Sequence, residues 1–515
     1  MFSEEDRDAT HERWVGAELL VCALIQILLV TVAYRIDRMR AAPLLSTSSW
    51  AIFCGLLGGA LLTFLSKKRV HEAGLDPQIL FLGLLPPIIL DAGFNTKRKG
   101  FFSNFVVILL LAIVGTLLAT FATGGLLLWL GHVRVITRLT SAESFLYGSL
   151  ISAIDPVATL IVFKKCRAPS LLFNLVFGES VVNDAVAIVT FSLFQQLVET
   201  GNSDVSAQTT VVLVLRLLTI LVGSIALAGT ICYSTAYFLR HSDAALRQYP
   251  IYEISIILLS CYASYLAADL FQLSGLLAVF FCGVFIRHYH MYNISKACAY
   301  AFKHLLSTLA FLAENFIYLY LGLSVFAYQT LFVWDWNFIL ANVCACLVAR
   351  ALNTFPLCFL ANWKRSEQQK IPFTYMIVIW FSGLRGAIAF ALVLTVSTSN
   401  VPHAAILKSS TLFTVLFTTV FFGMATGPLL RALGLSGDSP VRQEEAGTEA
   451  IHFGEFDEQA SLLSVGTSPL GSLSVRSKWI ELDEKYLKPV FGGQPRSTER
   501  ANYATMETSE STRGY

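Results

Sequence analysis

The chain has 515 residues, of which 55% are hydrophobic and only 14% are charged, with a mean hydropathy of +0.63 and a formal net charge of +2. This composition excludes a soluble enzyme of ordinary make-up and indicates a protein that crosses a membrane several times. The ten cysteines are scattered through the chain without a CxxC pair, so we interpret them as small core residues rather than disulfides or metal ligands.

Thirteen apolar segments are long enough, at about 20 residues each, to span a bilayer as helices. The sequence therefore predicts an all-α polytopic membrane protein. The first segment, 15–34, lacks the small-residue cleavage site of a signal peptide. The segments begin near residues 15, 48, 77, 103, 144, 169, 207, 249, 272, 303, 332, 371 and 405.

The basic residues in the predicted loops indicate the orientation. With the N-terminus in the lumen or outside the cell, the cytosolic loops carry 17 Lys and Arg and the opposite loops carry 6. The "KKR" at 67–69 is the main exception. An odd number of spans then places the C-terminus in the cytosol.

Two of the predicted spans are interrupted in the middle. The fifth contains "AIDPVA" at 153–158 and the twelfth contains "GLRGAIA" at 383–389, which are corresponding positions if the chain is read as six spans, a linker and six spans. Paired breaks of this kind are typical of inverted-repeat transporters with a site near the bilayer midplane.

The sixth span carries three polar residues in "FGESVVNDAVAIV", 177–189. A charge at the bilayer centre costs at least about 2.5 kcal/mol, so ionisable residues there usually have a functional role or a specific partner. The roles of Glu179 and Asp184, and of the polar Asn183 beside them, therefore have to be explained. On a helix Glu179 and Asn183 lie about 40° apart, whereas Asp184 lies about 140° from Glu179. Asp184 has no basic residue within one turn, and a lone carboxylate in a polar cavity can hold either a proton or a hard monovalent cation. One-for-one competition of this kind is the minimal chemistry of an antiporter.

Glu179 needs a cation if it is charged. We predict that it pairs with Arg385, in the break of the twelfth span, and that this ion pair is structural. Glu314, in the tenth span, is expected to pair with an arginine such as Arg350.

Asp155 precedes Pro156 in the fifth span. Proline removes a backbone hydrogen bond, so freed carbonyls near Ile154 can face a cation. A simple helix kink is the alternative. Asp91, in "LLPPIILDAG" at 84–93, is either an ordinary helix cap or part of an access funnel.

After about residue 435 the composition becomes polar and rich in Ser and Gly. We therefore predict a transmembrane domain over 1–435 and a cytosolic regulatory tail over 436–515 that is largely disordered. An aromatic and charged island at 479–493 is expected to pack on the cytosolic face, and "EQASLL" at 458–463 fits an acidic-dileucine sorting signal.

Four segments together resemble a known family. "LLPPIILDAGF", "LISAIDPVA", "VFGESVVNDAVAIV" and "SGLRGAIAFAL" occur in the order and spacing of the eukaryotic Na+/H+ exchangers of the cation/proton antiporter superfamily. The resemblance covers about residues 15–435, and "LSGLLAVFFCGVFIRHY" is similar to the endomembrane, Golgi and endosomal, branch. It implies an NhaA-like fold with two crossed broken helices, a core and a dimerisation subdomain, and a homodimer that works by elevator-type alternating access.

The resemblance also implies residue roles. Asp184 would bind the proton and the cation, with Ser180 and the main chain of Ile154 as further ligands. Asn183 would organise the crossed chains, and its presence in place of a second Asp implies electroneutral exchange. Asp155 and Arg385 would compensate half-helix dipoles.

Partners and competing functions follow from these expectations. We expect no cofactor beyond the transported Na+ or K+ and H+, contacts with membrane lipids and cytosolic regulators, and no nucleic acid. A sodium-coupled solute symporter of the same fold is the alternative, and a non-transporting sensor or scaffold is a third reading. An ATP-driven pump is disfavoured because the sequence has no GxxxxGK[ST] loop.

Overall fold

The computed structural model describes most of the membrane part and one short piece of the tail. The described residues are 4–38, 46–65, 80–96, 101, 104–155, 159, 162–163, 166–199, 207–242, 246, 249–327, 332–363, 365, 370–383, 385–397, 401–436 and 483–492. Within these ranges the chain is helical, with turns and short extended links and without a β-strand. The predicted all-α class is therefore confirmed.

Fourteen helices are named here in chain order. They are α1 Glu4–Arg38, α2 Thr47–Leu65, α3 Leu80–Phe94, α4 Phe105–His132, α5 Ser141–Ile151, α6 Ser170–Glu199, α7 Ala207–His241, α8 Pro250–Leu270, α9 Gly275–His288, α10 Lys296–Ala327, α11 Trp336–Trp363, α12 Phe373–Phe381, α13 Ala387–Thr395 and α14 Ala404–Ala432.

The described helices include seven that are long and apolar enough to cross a bilayer, namely α4, α6, α8, α10, α11, α14 and the Leu215–His241 part of α7. Shorter apolar helices lie within α1, α2 and α3. The protein is an integral, multi-pass membrane protein. The predicted total of thirteen spans and the predicted orientation stay predictions.

The chain divides into two compact units, and the first contains the two interrupted helices. Unit 1 comprises Met1–Ile88, Thr96–Thr219 and Leu309–Ile451. Within it α4 packs on α5 and α11, α5 packs on α6, and α14 packs on α11 and α13. Close approach of α4 and α5 depends on Gly148, because a Cβ there would lie 2.5 Å from the carbonyl oxygen of Thr120.

The first interrupted helix, α5, has a well-defined start and a premature end. Thr140 and Glu143 form a capping box, which satisfies free backbone N–H groups at the helix start. The helix ends at Ile151, and residues 153–155 belong to no helix or strand. A helix that ends before Asp155 agrees with the bias against helical geometry that a proline imposes on the residue before it. Pro156 itself and residues 157–158 lie outside the described residues.

The second interruption separates α12 from α13. Helix α12 ends at Phe381, and α13 begins at Ala387 after a link whose last residue, Gly386, is extended. This link crosses the first one closely: a Cβ at Gly386 would lie 2.1 Å from the Cβ of Asp155. Only glycine permits this approach, so the two breaks meet as crossed chains.

Unit 2 comprises Ile89–Asn95, Ile220–Thr308 and His452–Tyr515, with α8 packed on α9. The described piece of the tail, 483–492, contacts this unit. Arg240 Nη1 donates to the carbonyl of Lys488 at 2.7 Å, Asn293 Nδ2 donates to the carbonyl of Phe491 at 2.8 Å, and the Phe491 ring stacks on Tyr233. The rest of the tail and the sorting signal lie outside the described residues, so the division at 435 stays a prediction.

Candidate functional site

Helix α6 is the most deeply buried long helix of unit 1, with 89% of its apolar window inside the protein. Its polar residues are buried as well: Glu179, Ser180 and Asn183 are at most 2% exposed, and Asp184 is 7% exposed. Buried polar groups in a membrane protein must be hydrogen-bonded, paired or functional. The partners of each residue therefore decide its role.

Asn183 and Ser180 hold the end of the first break. Asn183 Oδ1 accepts the backbone N–H of Ile154 at 3.1 Å, and the Ser180 hydroxyl donates to the Ile154 carbonyl at 2.6 Å. Asn183 Nδ2 donates to the Thr116 hydroxyl at 2.6 Å, which in turn donates to the Ala112 carbonyl of its own helix. The amide of Asn183 thus ties α6 to both α4 and the unwound chain after α5.

Asp184 differs from its neighbours because it forms no hydrogen bond or ion pair with any described residue. Asp155 is the other acidic group that acts on it electrostatically. A carboxylate that is enclosed but unpaired is costly to keep charged, so it favours a bound proton or a bound cation.

Asp155 is positioned by a tyrosine. The Tyr318 hydroxyl on α10 donates to Asp155 Oδ2 at 2.9 Å. Tyr318 is 2% exposed, so this bond is shielded from water. Asp155 therefore has a fixed carboxylate oxygen beside the crossing of the two breaks.

The predicted Glu179–Arg385 pair is wrong. Glu179 pairs instead with Arg350 of α11 through both guanidinium Nη atoms, the Nη2–Oε2 distance being 3.0 Å. Arg350 Nη2 also donates to the carbonyl of Ile379, in the last turn of α12, at 3.0 Å. The expected Arg350–Glu314 pair is also wrong, because both Nη atoms of Arg350 are bonded to the Glu179 carboxylate. Arg350 can reach Glu179 because Gly383 leaves space: a Cβ there would lie 2.7 Å from Arg350 Nε.

Arg385 points to the end of α5 instead. Its Nη1 donates to the carbonyl of Ser152 at 3.2 Å, and its backbone N–H donates to the Thr418 hydroxyl at 3.1 Å. A guanidinium at a helix C-terminus interacts favourably with the free carbonyls there. The role of Arg385 in compensating a half-helix dipole stays a prediction that this contact favours.

Asp91 lies in unit 2, near the end of α3. Its Oδ1 accepts from Asn95 Nδ2 at 2.9 Å and from the Ser307 hydroxyl at 2.8 Å. These bonds join Asp91 to the residue after α3 and to α10. The alternative role in an access funnel stays a prediction.

The arrangement around Asp184 suits a small, hard cation. The carboxylate of Asp184, the hydroxyl of Ser180 and the carbonyl of Ile154 are oxygen donors from two elements that meet at the break. Oxygen ligands are those that hard cations prefer, and one carboxylate matches one positive charge. Among the described residues there is no group of three or more His, Cys, Asp or Glu that could hold a metal ion.

The sequence did not indicate that Thr116, Tyr318 and Arg350 contact Asn183, Asp155 and Glu179, respectively. Thr116 and Tyr318 are ordinary residues in apolar runs and carry no local signal. Arg350 did carry one, since it is an arginine inside a predicted span. Its acceptor could not be chosen without knowing which helix faces α11.

Comparison with known proteins agrees with this geometry. A sequence model of the family described as "Sodium/hydrogen exchanger, transmembrane" matches residues 25–432, which include both breaks and all of α6. The chain belongs to the sodium/hydrogen exchanger family. Cation/proton antiport is therefore the activity of its family, and the predicted family resemblance is confirmed.

Similar relatives come from animals and plants. Human sodium/hydrogen exchanger 8 is 33% identical over 486 residues, which is 92% of this chain and 82% of the relative. Sodium/hydrogen exchanger 1 of Arabidopsis thaliana is 34% identical over 87% of this chain and 88% of its own. Mouse sodium/hydrogen exchanger 9 is 35% identical over 82% of this chain and 65% of its own.

A solved structure shares the fold. The sodium proton antiporter MjNhaP1 from Methanocaldococcus jannaschii superposes with a TM-score of 0.60 at 19% identity, over 82% of this chain and 98% of that one. The antiporter-type fold with two crossed, interrupted helices is thereby confirmed.

Proposed function

We propose that this exchanger carries Na+ or K+ in one direction and H+ in the other by binding them alternately at Asp184. The observation that carries the proposal is the unpaired state of Asp184, which is buried on α6 and forms no hydrogen bond or ion pair with a described residue. The only other carboxylate on that buried stretch, Glu179, is neutralised by Arg350. Asp184 is thus the group whose charge is left for a transported ion.

The stoichiometry follows from the same contacts. The residue beside Asp184 is a neutral amide, and both ends of Asn183 are used in hydrogen bonds. The position therefore offers one negative charge, which one proton or one monovalent cation neutralises. We infer electroneutral exchange, with Ser180 and the Ile154 carbonyl as further cation ligands and Asp155 as a nearby charge.

Alternating access is proposed to be of the elevator type, in a homodimer. The fold shared with a sodium proton antiporter favours this reading, since the site lies where two unwound chains cross within unit 1. Movement of a core unit would then expose Asp184 to each side of the membrane in turn.

An endomembrane location is proposed from the similarity to sodium/hydrogen exchangers 8 and 9 and from the motifs of that branch. In that location exchange would set the pH and cation content of a Golgi or endosomal compartment. A fluorescent fusion of the full chain, imaged against Golgi, endosomal and plasma-membrane markers, tests this point. Fluorescence confined to the plasma membrane would refute it.

The test of exchange uses purified protein in liposomes with a trapped pH dye. Pulses of Na+, K+ and Li+ are applied to wild type, Asp184→Asn and the matched variant Asp269→Asn, which changes an exposed aspartate at the end of α8. We expect cation-driven proton flux to fall by at least about 100-fold in Asp184→Asn and to be unchanged in Asp269→Asn. Flux that does not respond to a clamped membrane potential supports electroneutrality, and the order of the ions gives the selectivity.

Two outcomes would refute the proposal, and each would favour an alternative. Flux that persists in Asp184→Asn would mean that another carboxylate binds the ion. No flux in well-folded wild type would favour a sodium-coupled solute symporter, which is tested by sodium-dependent uptake of organic solutes, or a non-transporting sensor.

A further inference from the structure

A small cavity in unit 1 is lined by two buried arginines. It lies between α11, the break after α12, and α14, and it offers about 20 Å³ of space for the centres of water-sized molecules. Roughly 10–15 Å³ is enough for one water molecule, so the cavity has room for a single small ligand. Arg350 and Arg385, which are 3% and 2% exposed, both contribute to its wall.

The positive charge at this cavity exceeds the negative charge that is paired with it. Arg350 is matched by Glu179, but Arg385 forms no ion pair with a described carboxylate. The carbonyl of Ser152 gives Arg385 only the partial negative charge of a helix end. A buried guanidinium without a full counter-charge is costly, because desolvation is not repaid.

A donor at the cavity is also unused. Arg350 Nε is buried and has no hydrogen-bond acceptor among the described residues, although both Nη atoms are occupied. The hydroxyls that line the cavity accept from other donors: Thr414 accepts from Asn342 Nδ2, and Thr418 accepts from the backbone N–H of Arg385. This N–H lies beside Gly383, another lining residue, and has no acceptor among the described residues.

The remaining wall favours a weakly hydrated ion. Leu347, Trp380 and Phe422 form apolar parts of the lining, and the Trp380 indole N–H already donates to the Leu347 carbonyl. An anion with a low charge density fits such a wall better than a carboxylate or phosphate, which needs more donors.

We propose that this cavity binds one monovalent anion of the halide class, between the guanidinium groups of Arg350 and Arg385. The anion would accept from Arg350 Nε and supply the counter-charge that Arg385 lacks. Water could satisfy the N–H group but not the charge. The proposal does not rest on the exchange reaction, because Asp184 does not line the cavity and the tests below do not measure transport.

The first test is thermal unfolding of the purified full chain in detergent. Wild type is compared in chloride, bromide and gluconate at equal ionic strength and equal cation. We expect the unfolding temperature to be higher by about 2 °C or more in the halides, because a ligand that binds only the folded state raises stability.

Matched variants separate site binding from general salt effects. Cys346→Leu fills the cavity from α11, whereas Cys344→Leu makes the same change on the exposed face of the same helix. The halide effect should disappear in Cys346→Leu and persist in Cys344→Leu. An equal halide effect in both variants would overturn the proposal.

Direct location of the ion is the second test, and it does not depend on a variant folding. Crystals of wild type grown in bromide should show an anomalous peak between the two guanidinium groups. No peak at this position, together with equal stability in halide and gluconate, would mean that the cavity holds water only and would refute the proposal.

Discussion

Two carboxylates five positions apart on α6 have opposite surroundings. Glu179 faces α11 and is held by both Nη atoms of Arg350, whereas Asp184 faces away and has no hydrogen-bonding or ionic partner among the described residues. Both are buried to a similar degree, at 1% and 7% exposure. Burial alone therefore does not distinguish these two carboxylates; the presence of a neutralising partner does.

The physical reason is the cost of changing the charge of each group. Glu179 is charged as half of an ion pair, and protonating it would leave Arg350 unpaired. Asp184 has no such constraint, which is why we propose that protons and cations replace each other there. The pair fixes α6 against α11 and α12, and the free carboxylate is carried by that fixed helix.

The largest expected effect on the free energy of unfolding comes from breaking the Glu179–Arg350 ion pair. Arg350→Met should lower the free energy of unfolding by about 3–5 kcal/mol, because it leaves the Glu179 carboxylate buried without a partner. Arg216→Met is the control, since Arg216 of α7 forms no hydrogen bond or ion pair with a described residue. Unfolding titrations with SDS in mixed micelles would measure both. Equal losses in the two variants would show that the pair has no special role.

The crossing of the two breaks should show the next largest effect. Gly386→Ala is expected to cost about 2–3 kcal/mol and to abolish exchange, because the new Cβ would lie 2.1 Å from the Asp155 Cβ and must push the breaks apart. Gly125→Ala on α4 is the matched change, with no atom within 4 Å of the added Cβ. Wild-type unfolding and flux in Gly386→Ala would contradict the crossed arrangement.

Loss of the hydrogen bond between Asn183 and Thr116 should lower the free energy of unfolding by a smaller amount. Thr116→Val removes the acceptor of Asn183 Nδ2, and an unsatisfied buried donor should cost about 1–2 kcal/mol. Thr190→Val on α6 is the control variant. Among the described residues, the Thr190 hydroxyl bonds only to the carbonyl of Val186 in its own helix. The two variants are compared by the same unfolding titration. If Thr190→Val is the more costly change, the Thr116–Asn183 bond does not contribute as we infer.

The smallest expected effect on the free energy of unfolding comes from replacing Asp184. Asp184→Asn should leave the free energy of unfolding within about 1 kcal/mol of wild type, or raise it, because a buried amide costs less than an unpaired carboxylate. Glu179→Gln should lower it, since Arg350 loses its counter-charge. Unfolding titrations of the two variants compare the carboxylate that has a partner with the one that has none. A large loss of unfolding free energy in Asp184→Asn would reveal a structural partner for Asp184.

The fold class followed from the sequence because it depends on local properties. Apolar runs of membrane-spanning length predict helices, and Asp-Pro and Gly-rich stretches at 153–158 and 383–389 predict the breaks. The burial of Asp184 on an apolar helix was also predictable, since a lone carboxylate in an apolar run is conspicuous in the sequence; its role as the ion site stays a prediction.

The partner of Glu179 shows where the sequence was insufficient. Arg385 was predicted on the ground that it lies in the opposite break, but its side chain reaches the Ser152 carbonyl at the end of α5. Arg350 reaches Glu179 from α11, past the bare backbone of Gly383. Which of two buried arginines meets a given carboxylate depends on helix rotation and on the space left by one missing side chain.

The sequence by itself determined that this protein is a membrane-spanning helical exchanger with a carboxylate on a buried helix, because helix length, hydropathy and backbone breakers act within a few residues. Only the tertiary structure decided that Thr116 holds Asn183, that Tyr318 holds Asp155 and that Arg350 neutralises Glu179. These contacts join residues far apart in the chain, and their energies depend on distances of a few ångströms that no local pattern encodes.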